Sequence, residues 1–161
     1  MASVRHWAWL AVAAVAAGCA NGSKTPEVDP FALTRDNACY TVDIFDKISL
    51  RAPGADVPSK WRGFSGRWGG GAWNGKWCHD LYVLDIASSG AATVIETHAP
   101  LPEWGKPASA FRRTAHIDKD GRLRMNFGRV KVEYWLDGET LYGKRDEGTG
   151  EMIVALSRRD F

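Results

Sequence analysis

The sequence predicts an all-β fold, a single up-and-down antiparallel barrel of about eight strands. Three observations predict it. Apolar and polar residues alternate with a period of two along several runs, and turn residues separate those runs at short intervals. No segment carries a helical apolar stripe, which excludes βαβ units and a dinucleotide fold. Closure into a barrel removes exposed sheet edges; a sandwich is the competitor.

At the N-terminus, the apolar run Trp7 to Ala17 is shorter than the roughly 20 residues a spanning helix needs and suits the core of an export signal. The stretch AVAAVAAGC, Ala11 to Cys19, behind Arg5, resembles the signal peptide of a bacterial lipoprotein. The resemblance implies removal of residues 1–18 and a lipid on Cys19, through which the chain partners a membrane. Ala20 in place of Asp after the cysteine implies the outer membrane, facing the periplasm. Ala16 stands where such signals usually carry Leu, so ordinary cleavage after Ala14-Val15-Ala16 stays open. Residues 19–38, polar and punctuated by prolines, read as the lipidated N-terminus and a flexible tether.

The chain has three cysteines. Lipidation of Cys19 leaves Cys39 and Cys78 as a pair in an oxidising compartment, where a disulfide is expected; two buried free thiols are the alternative. The rest, 39–161, has the length and apolar content of one domain. Lys and Arg number 21 against 19 Asp and Glu, well interleaved, so nothing argues for a nucleic-acid partner. A monomer is expected.

Cys39 to Phe45 is a candidate first strand, and Arg51 to Lys60 breaks regular structure with its prolines and glycine. The barrel reads from Trp61 onward. Trp77 to Ala87 turns at Ser88-Ser89-Gly90 into Ala91 to Ala99. Phe111 to Asp118 turns at Lys119-Asp120-Gly121 into Arg122 to Phe127. Arg129 to Leu136 turns at Asp137-Gly138, a strong hairpin signal, into Glu139 to Asp146. Met152 to Arg159 is the last strand. Leu123, Met125 and Phe127 share one face, as do Val130, Val132, Tyr134 and Leu136.

Four tryptophans fall between Trp61 and Trp77, three of them in Gly-x-Trp triplets ending at Trp68, Trp73 and Trp77. A Gly-x-Trp opening the first strand resembles the signature of calycins, the lipocalins and their relatives. The resemblance implies that Trp68 closes one barrel end under an arginine of the last strand. Parity with Met152, Val154 and Leu156 selects Arg158 over Arg159. The Trp-rich opening and Tyr134-Trp135-Leu136-Asp137-Gly138 also resemble small bacterial envelope proteins with lipocalin-like domains. That likeness implies a fold and a ligand cavity but no reaction.

Trp77-Cys78-His79-Asp80 has a nucleophile beside a base, but strand alternation sends them to opposite faces. His79, His98 and His116 lack zinc-ligand spacing, so no metal and no cofactor is expected. The glycines from Gly69 to Gly75 do not lead into the helix a phosphate loop needs, and no Gly-x-Ser-x-Gly elbow occurs. No catalytic residues are assigned, and the reading leans away from an enzyme. Binding remains. The loop Ala99 to Ala110 carries Trp104 and is a candidate lid. Arg113 shares the parity of Phe111, Ala115 and Ile117, placing a charge on an apolar face, for a ligand anion or an internal acid. The expected function is binding of a small apolar or amphipathic molecule, with Trp73, Trp77, Tyr82, Trp104 and Arg113 as contacts. The alternative is a filled barrel that docks on an envelope protein or cell-wall glycan.

Overall fold

The computed structural model describes residues 29–36, 38–41 and 48–160. The expected signal peptide and lipidation site, residues 1–19, lie outside the described residues, as does most of the candidate strand Cys39 to Phe45; residues 39–41 are not in a strand. Among the described residues, no helix is long and apolar enough to cross a membrane.

Eight antiparallel strands close into one up-and-down barrel: β1 (Gly66–Trp73), β2 (Trp77–Ile86), β3 (Ala91–His98), β4 (Ser109–Ile117), β5 (Leu123–Phe127), β6 (Val130–Asp137), β7 (Thr140–Asp146) and β8 (Glu151–Arg159). Their bounds follow the alternating runs closely, because the period-two pattern and the Gly-containing turns act on the same residues. One α-helical turn, α1 (Ser59–Arg62), follows the proline-rich break, and a short 3-10 turn spans Pro102–Trp104.

The two ends of the barrel differ. Val57, Trp61 and Phe64, on and beside α1, plug the end where β1 begins and join the core. The Trp68 indole donates to the Phe64 carbonyl at 2.8 Å. Arg158 lies 4.3 Å above the Trp68 ring and donates to the Ser65 and Gly63 carbonyls, each at 2.7 Å. A cation over an indole contributes about 0.5–1 kcal/mol when partly exposed, so the arginine chiefly fastens the plug's backbone. The opposite end carries the β1–β2 turn, the loop 99–108 and the β5–β6 and β7–β8 turns; it is called the mouth below.

Closure is least regular between β1 and β8. Register pairs run only from Arg67↔Arg159 to Gly69↔Ser157, and β1 is bulged against β2 between Trp68 and Gly71. The N-terminal strap supplies what the ladder lacks. The Ala155 amide donates to the Thr34 hydroxyl at 2.8 Å, and the Asp36 amide donates to the Gly70 carbonyl at 3.0 Å. Thr34 is 1 % exposed. Residues 29–36, read from sequence as flexible tether, are therefore packed on the barrel. Buried backbone groups at an interrupted ladder require partners, and this segment provides them.

The strap is held on both sides of that seam. Phe31 meets Tyr142 edge-on with ring centroids 4.9 Å apart. Cys39 is bonded to Cys78 on the outer face of β2, as the cysteine pattern predicts. Further along, Ile48 and Leu50 cover Tyr82, Leu84 and Ile95 in a small second core outside the barrel. Parity decides this: with Trp77 and His79 inside, Cys78, Asp80 and Tyr82 face out.

Two stability outcomes follow. Replacing Cys39 and Cys78 together by Ser releases a loop of 39 residues' separation, and urea unfolding should show a loss of up to about 4 kcal/mol. Gly71→Ala would place a Cβ 2.2 Å from the Ala155 carbonyl oxygen. Backbone cannot swing aside as a side chain does, so the same assay should register a cost of about 1–3 kcal/mol.

Candidate functional site

Toward the plugged end the barrel interior is apolar, built from Trp68, Leu81, Val83, Val94, Ile117, Leu123, Leu141 and Leu156. Toward the mouth it changes character. The inward positions of β2 and β3 end in His79, Glu96 and His98, each no more than 1 % exposed. Arg113 from β4 and Arg145 from β7 reach the same region.

Four rings stack in sequence across this region. Trp77 lies 4.2 Å from His98, His98 lies 4.8 Å from His79, and His79 lies 5.1 Å from Trp73. Tyr134 approaches from β6, and its ring occupies the space a Cβ would need at Gly143, its register partner. His79 sits 3.1 Å from the Thr97 carbonyl through Nδ1 and 2.7 Å from the Tyr134 hydroxyl through Nε2. A carbonyl only accepts, so Nδ1 carries the proton and Nε2 accepts from the tyrosine. Burial holds His79 neutral, its pKa lowered to about 3, with the Arg145 charge acting in the same direction. His98 is lowered too, first by burial and then by His79 and the nearby cations.

Beside the rings lies an ion cluster. Glu96 accepts from Arg113 Nε at 2.7 Å, and Arg145 Nη1 lies 3.7 Å from its other oxygen. Arg145 also donates to Glu147 at 2.8 Å, and Glu147 accepts from Lys106 at 3.0 Å. Burial pushes the Glu96 carboxyl up, while the arginines oppose that shift. Glu147 is shifted down: partial burial, which opposes the shift, is outweighed by its bonds to Lys106 and Arg145.

The set is incompletely bonded. Both ring nitrogens of His98, Glu96 Oε1, Arg145 Nη1 and the Trp73 indole nitrogen are buried without a hydrogen-bond partner. An unmet buried polar atom costs about 1–3 kcal/mol; the two His98 nitrogens and the Trp73 nitrogen are of this kind, whereas Glu96 Oε1 and Arg145 Nη1 face each other at 3.7 Å.

This region lies beside the weakest join in the sheet. β4 and β5 share only the register pairs His116↔Arg124 and Ile117↔Leu123. Nearer the mouth the two strands carry no register pairs with each other, and Arg113 fills the interval. Its guanidinium lies 3.5 Å from the Phe127 ring centroid and 4.8 Å from that of Phe111. Across the mouth, Lys106 lies 5.0 Å above Trp77, whose indole donates to the Ala99 carbonyl at 2.8 Å. A cleft of about 430 Å³ lined by Asn74, Trp104, Lys106, Glu147 and Met152 opens there to solvent.

The structure thus brings Trp73, Trp77 and Arg113 to one region. Trp104 lies at its rim, 39 % exposed. Tyr82 stands apart on the outer face under Ile48 and Leu50, because strand parity opposes it to His79. His116 is also outside, at the turn with Asp118. The sequence pattern does not single out Glu96, Arg145, Lys106 or Glu147, and leaves open whether His98 is a surface, hydrogen-bonded or inward-pointing residue. A signal was present: polar residues replace apolar ones at the mouth-end inward positions of β3, β4 and β7 together. Among the described residues, no group of three or more His, Cys, Asp or Glu side chains is placed to hold a metal ion. No family model, curated protein or solved structure matches the chain.

The buried histidines set a pH dependence. Their folded pKa values lie below the ordinary 6.5, so between 6.5 and about 3 the unfolded chain binds more protons than the native one. Stability present above pH 6.5 is lost as pH falls, by up to about 1.4 kcal/mol per unit for each histidine. Glu96 is raised and acts in the opposite sense, offsetting part of that loss. Urea midpoints should fall from pH 7 to pH 5, and His98→Gln should flatten the dependence.

Proposed function

We propose that this chain is a lipid-anchored envelope protein that binds a small amphipathic molecule in the polar, mouth-side half of its barrel. The observation that carries this reading is His98, held between two rings with neither nitrogen bonded. A neutral imidazole offers one donor and one acceptor, and Glu96 Oε1 and Arg145 Nη1 add another of each. A polar head group would satisfy them. Phe111, Phe127 and Trp77 would cover its apolar part, the mixture usual in small-molecule sites.

Side chains fill this region in the resting structure, so binding requires an opening. Arg113 is the movable element: it is partly exposed and bridges strands that share little backbone bonding. Swinging it off Phe127 uncovers Glu96 and Arg145. The lipoprotein-like sequence ending at Cys19 supports the envelope location and the anchor.

Native mass spectrometry of the protein extracted from its own membranes tests the reading, with anilinonaphthalene sulfonate as a solution probe. A copurifying small molecule is expected. His98→Phe keeps the ring stack but removes both nitrogens, and should weaken probe or ligand binding about tenfold, the worth of one or two hydrogen bonds. Protein that emerges empty and takes up no probe would overturn the site.

A second reading, a barrel that docks on an envelope protein or on cell-wall glycan, draws on Leu33 and Tyr40, which are 83 % and 74 % exposed on the strap. Retention on peptidoglycan or on a partner, lost in Tyr40→Ser with ligand binding intact, would favour it.

A further inference from the structure

Leu33 of the strap lies at the mouth end, and that end also carries exposed apolar side chains. The Leu33 carbonyl abuts Gly75 in the β1–β2 turn, 2.6 Å from where a Cβ there would stand. On the other side of that turn, the Lys76 ammonium lies 6.0 Å from the Trp104 ring centroid. Leu33 is 83 % exposed, Trp104 39 % and Phe111, near the mouth end of β4, 47 %. Of the four large apolar residues exposed on the described part of the protein, three belong to this end; Tyr40 is on the flank. One exposed apolar residue means little, but three at one end of the barrel give that end an apolar character the rest of the described surface lacks.

We propose that this end docks on the lipid bilayer that anchors the chain, so that the mouth and its ligand site face the membrane surface. The inference rests on the lipid at Cys19. From Cys19 to Asp29, where the strap begins, is ten residues, which span at most about 35 Å fully extended. The strap first packs Phe31 on Trp135 and Tyr142 along the barrel flank, and Leu33 then reaches the β1–β2 turn at the mouth. A tether this short holds the barrel at high effective concentration over the surface, where a patch too small to bind a free protein suffices. The residue types also fit. Tryptophan favours the headgroup level, where its indole is partly apolar and partly wet. Leu33 supplies apolar area, and Lys76 reaches anionic headgroups from beside Trp104. The plugged end has no such cluster: Trp61 and Phe64 are turned inward.

A ligand that partitions into lipid would then meet the opening between β4 and β5 without crossing water. Phe111, exposed near the mouth end of β4, borders that opening through its contact with Arg113.

The mature lipidated protein, residues 19–161, reconstituted in phosphatidylethanolamine–phosphatidylglycerol vesicles carrying a spin label near the headgroup, tests this. Trp61, Trp68, Trp73 and Trp77 are buried, so quenching by labelled lipid reports chiefly on Trp104. Quenching is expected in the wild type, lost in Trp104→Phe, retained in Trp135→Phe and weakened in Leu33→Glu, a substitution at an exposed position that the fold tolerates. Acylated, vesicle-bound protein whose fluorescence is unquenched, or quenched through Trp135, would overturn the docking while leaving the anchor intact. Protein that carries no acyl chain and stays in solution would overturn the anchor itself.

Discussion

Closing an eight-strand sheet onto itself is the constraint from which the rest of this structure follows. Seven of the eight joins are hairpins, which chain connectivity makes local and inexpensive. The eighth, between β1 and β8, must bring together strands from opposite ends of the domain. Here it is irregular, because the Gly69–Gly71 run that lets β8 approach closely also breaks the ladder. Thr34 and Asp36 meet the backbone groups left over. A segment outside the barrel is thus part of its closure, and the Cys39–Cys78 bond keeps that segment in reach by shrinking the unfolded ensemble.

Much of the fold could be read from the chain because local signals agree there. In β5 and β6 the alternation Leu123, Met125, Phe127 and Val130, Val132, Tyr134 specifies face and register at once, and Asp137-Gly138 marks a turn in the right place. The strap could not be read in this way. Residues 29–36 have tether composition; what orders them is an interrupted ladder more than thirty residues away, which no local pattern reports. Tyr82 was placed with the interior aromatics on residue type alone, although the parity that puts His79 inside already puts Tyr82 outside. Glu96 and Arg145 were passed over for a related reason. Each is a single polar residue in a strand, and their meaning appears only when three strands are aligned at the same height.

The plugged end and the mouth differ in how their polar groups are paired. At the plug, Trp68 Nε1 and both Arg158 Nη atoms are bonded to the carbonyls of Phe64, Ser65 and Gly63, while the Trp61 indole nitrogen is buried without a hydrogen-bond partner. At the mouth, His98, Glu96 and Arg145 are buried with bonds unmade. A protein selected for stability alone would replace such a cluster by apolar residues, which cost nothing to bury. The cluster lies beside the weakest join in the sheet, where β4 and β5 share two register pairs.

The route has a direction. If molecules enter between β4 and β5, Arg113 must leave Phe127 and Phe111 as they do so, and its bond to Glu96 is broken or shared. Glu96 is then left with Arg145 as its nearer cation. A head group that accepts from the freed guanidinium and donates to Glu96 restores both charges' partners, whereas a purely apolar molecule restores neither. Under the proposed function, opening favours a ligand whose polar end lies against His98 and Glu96 and whose apolar part points toward Phe111 and the mouth.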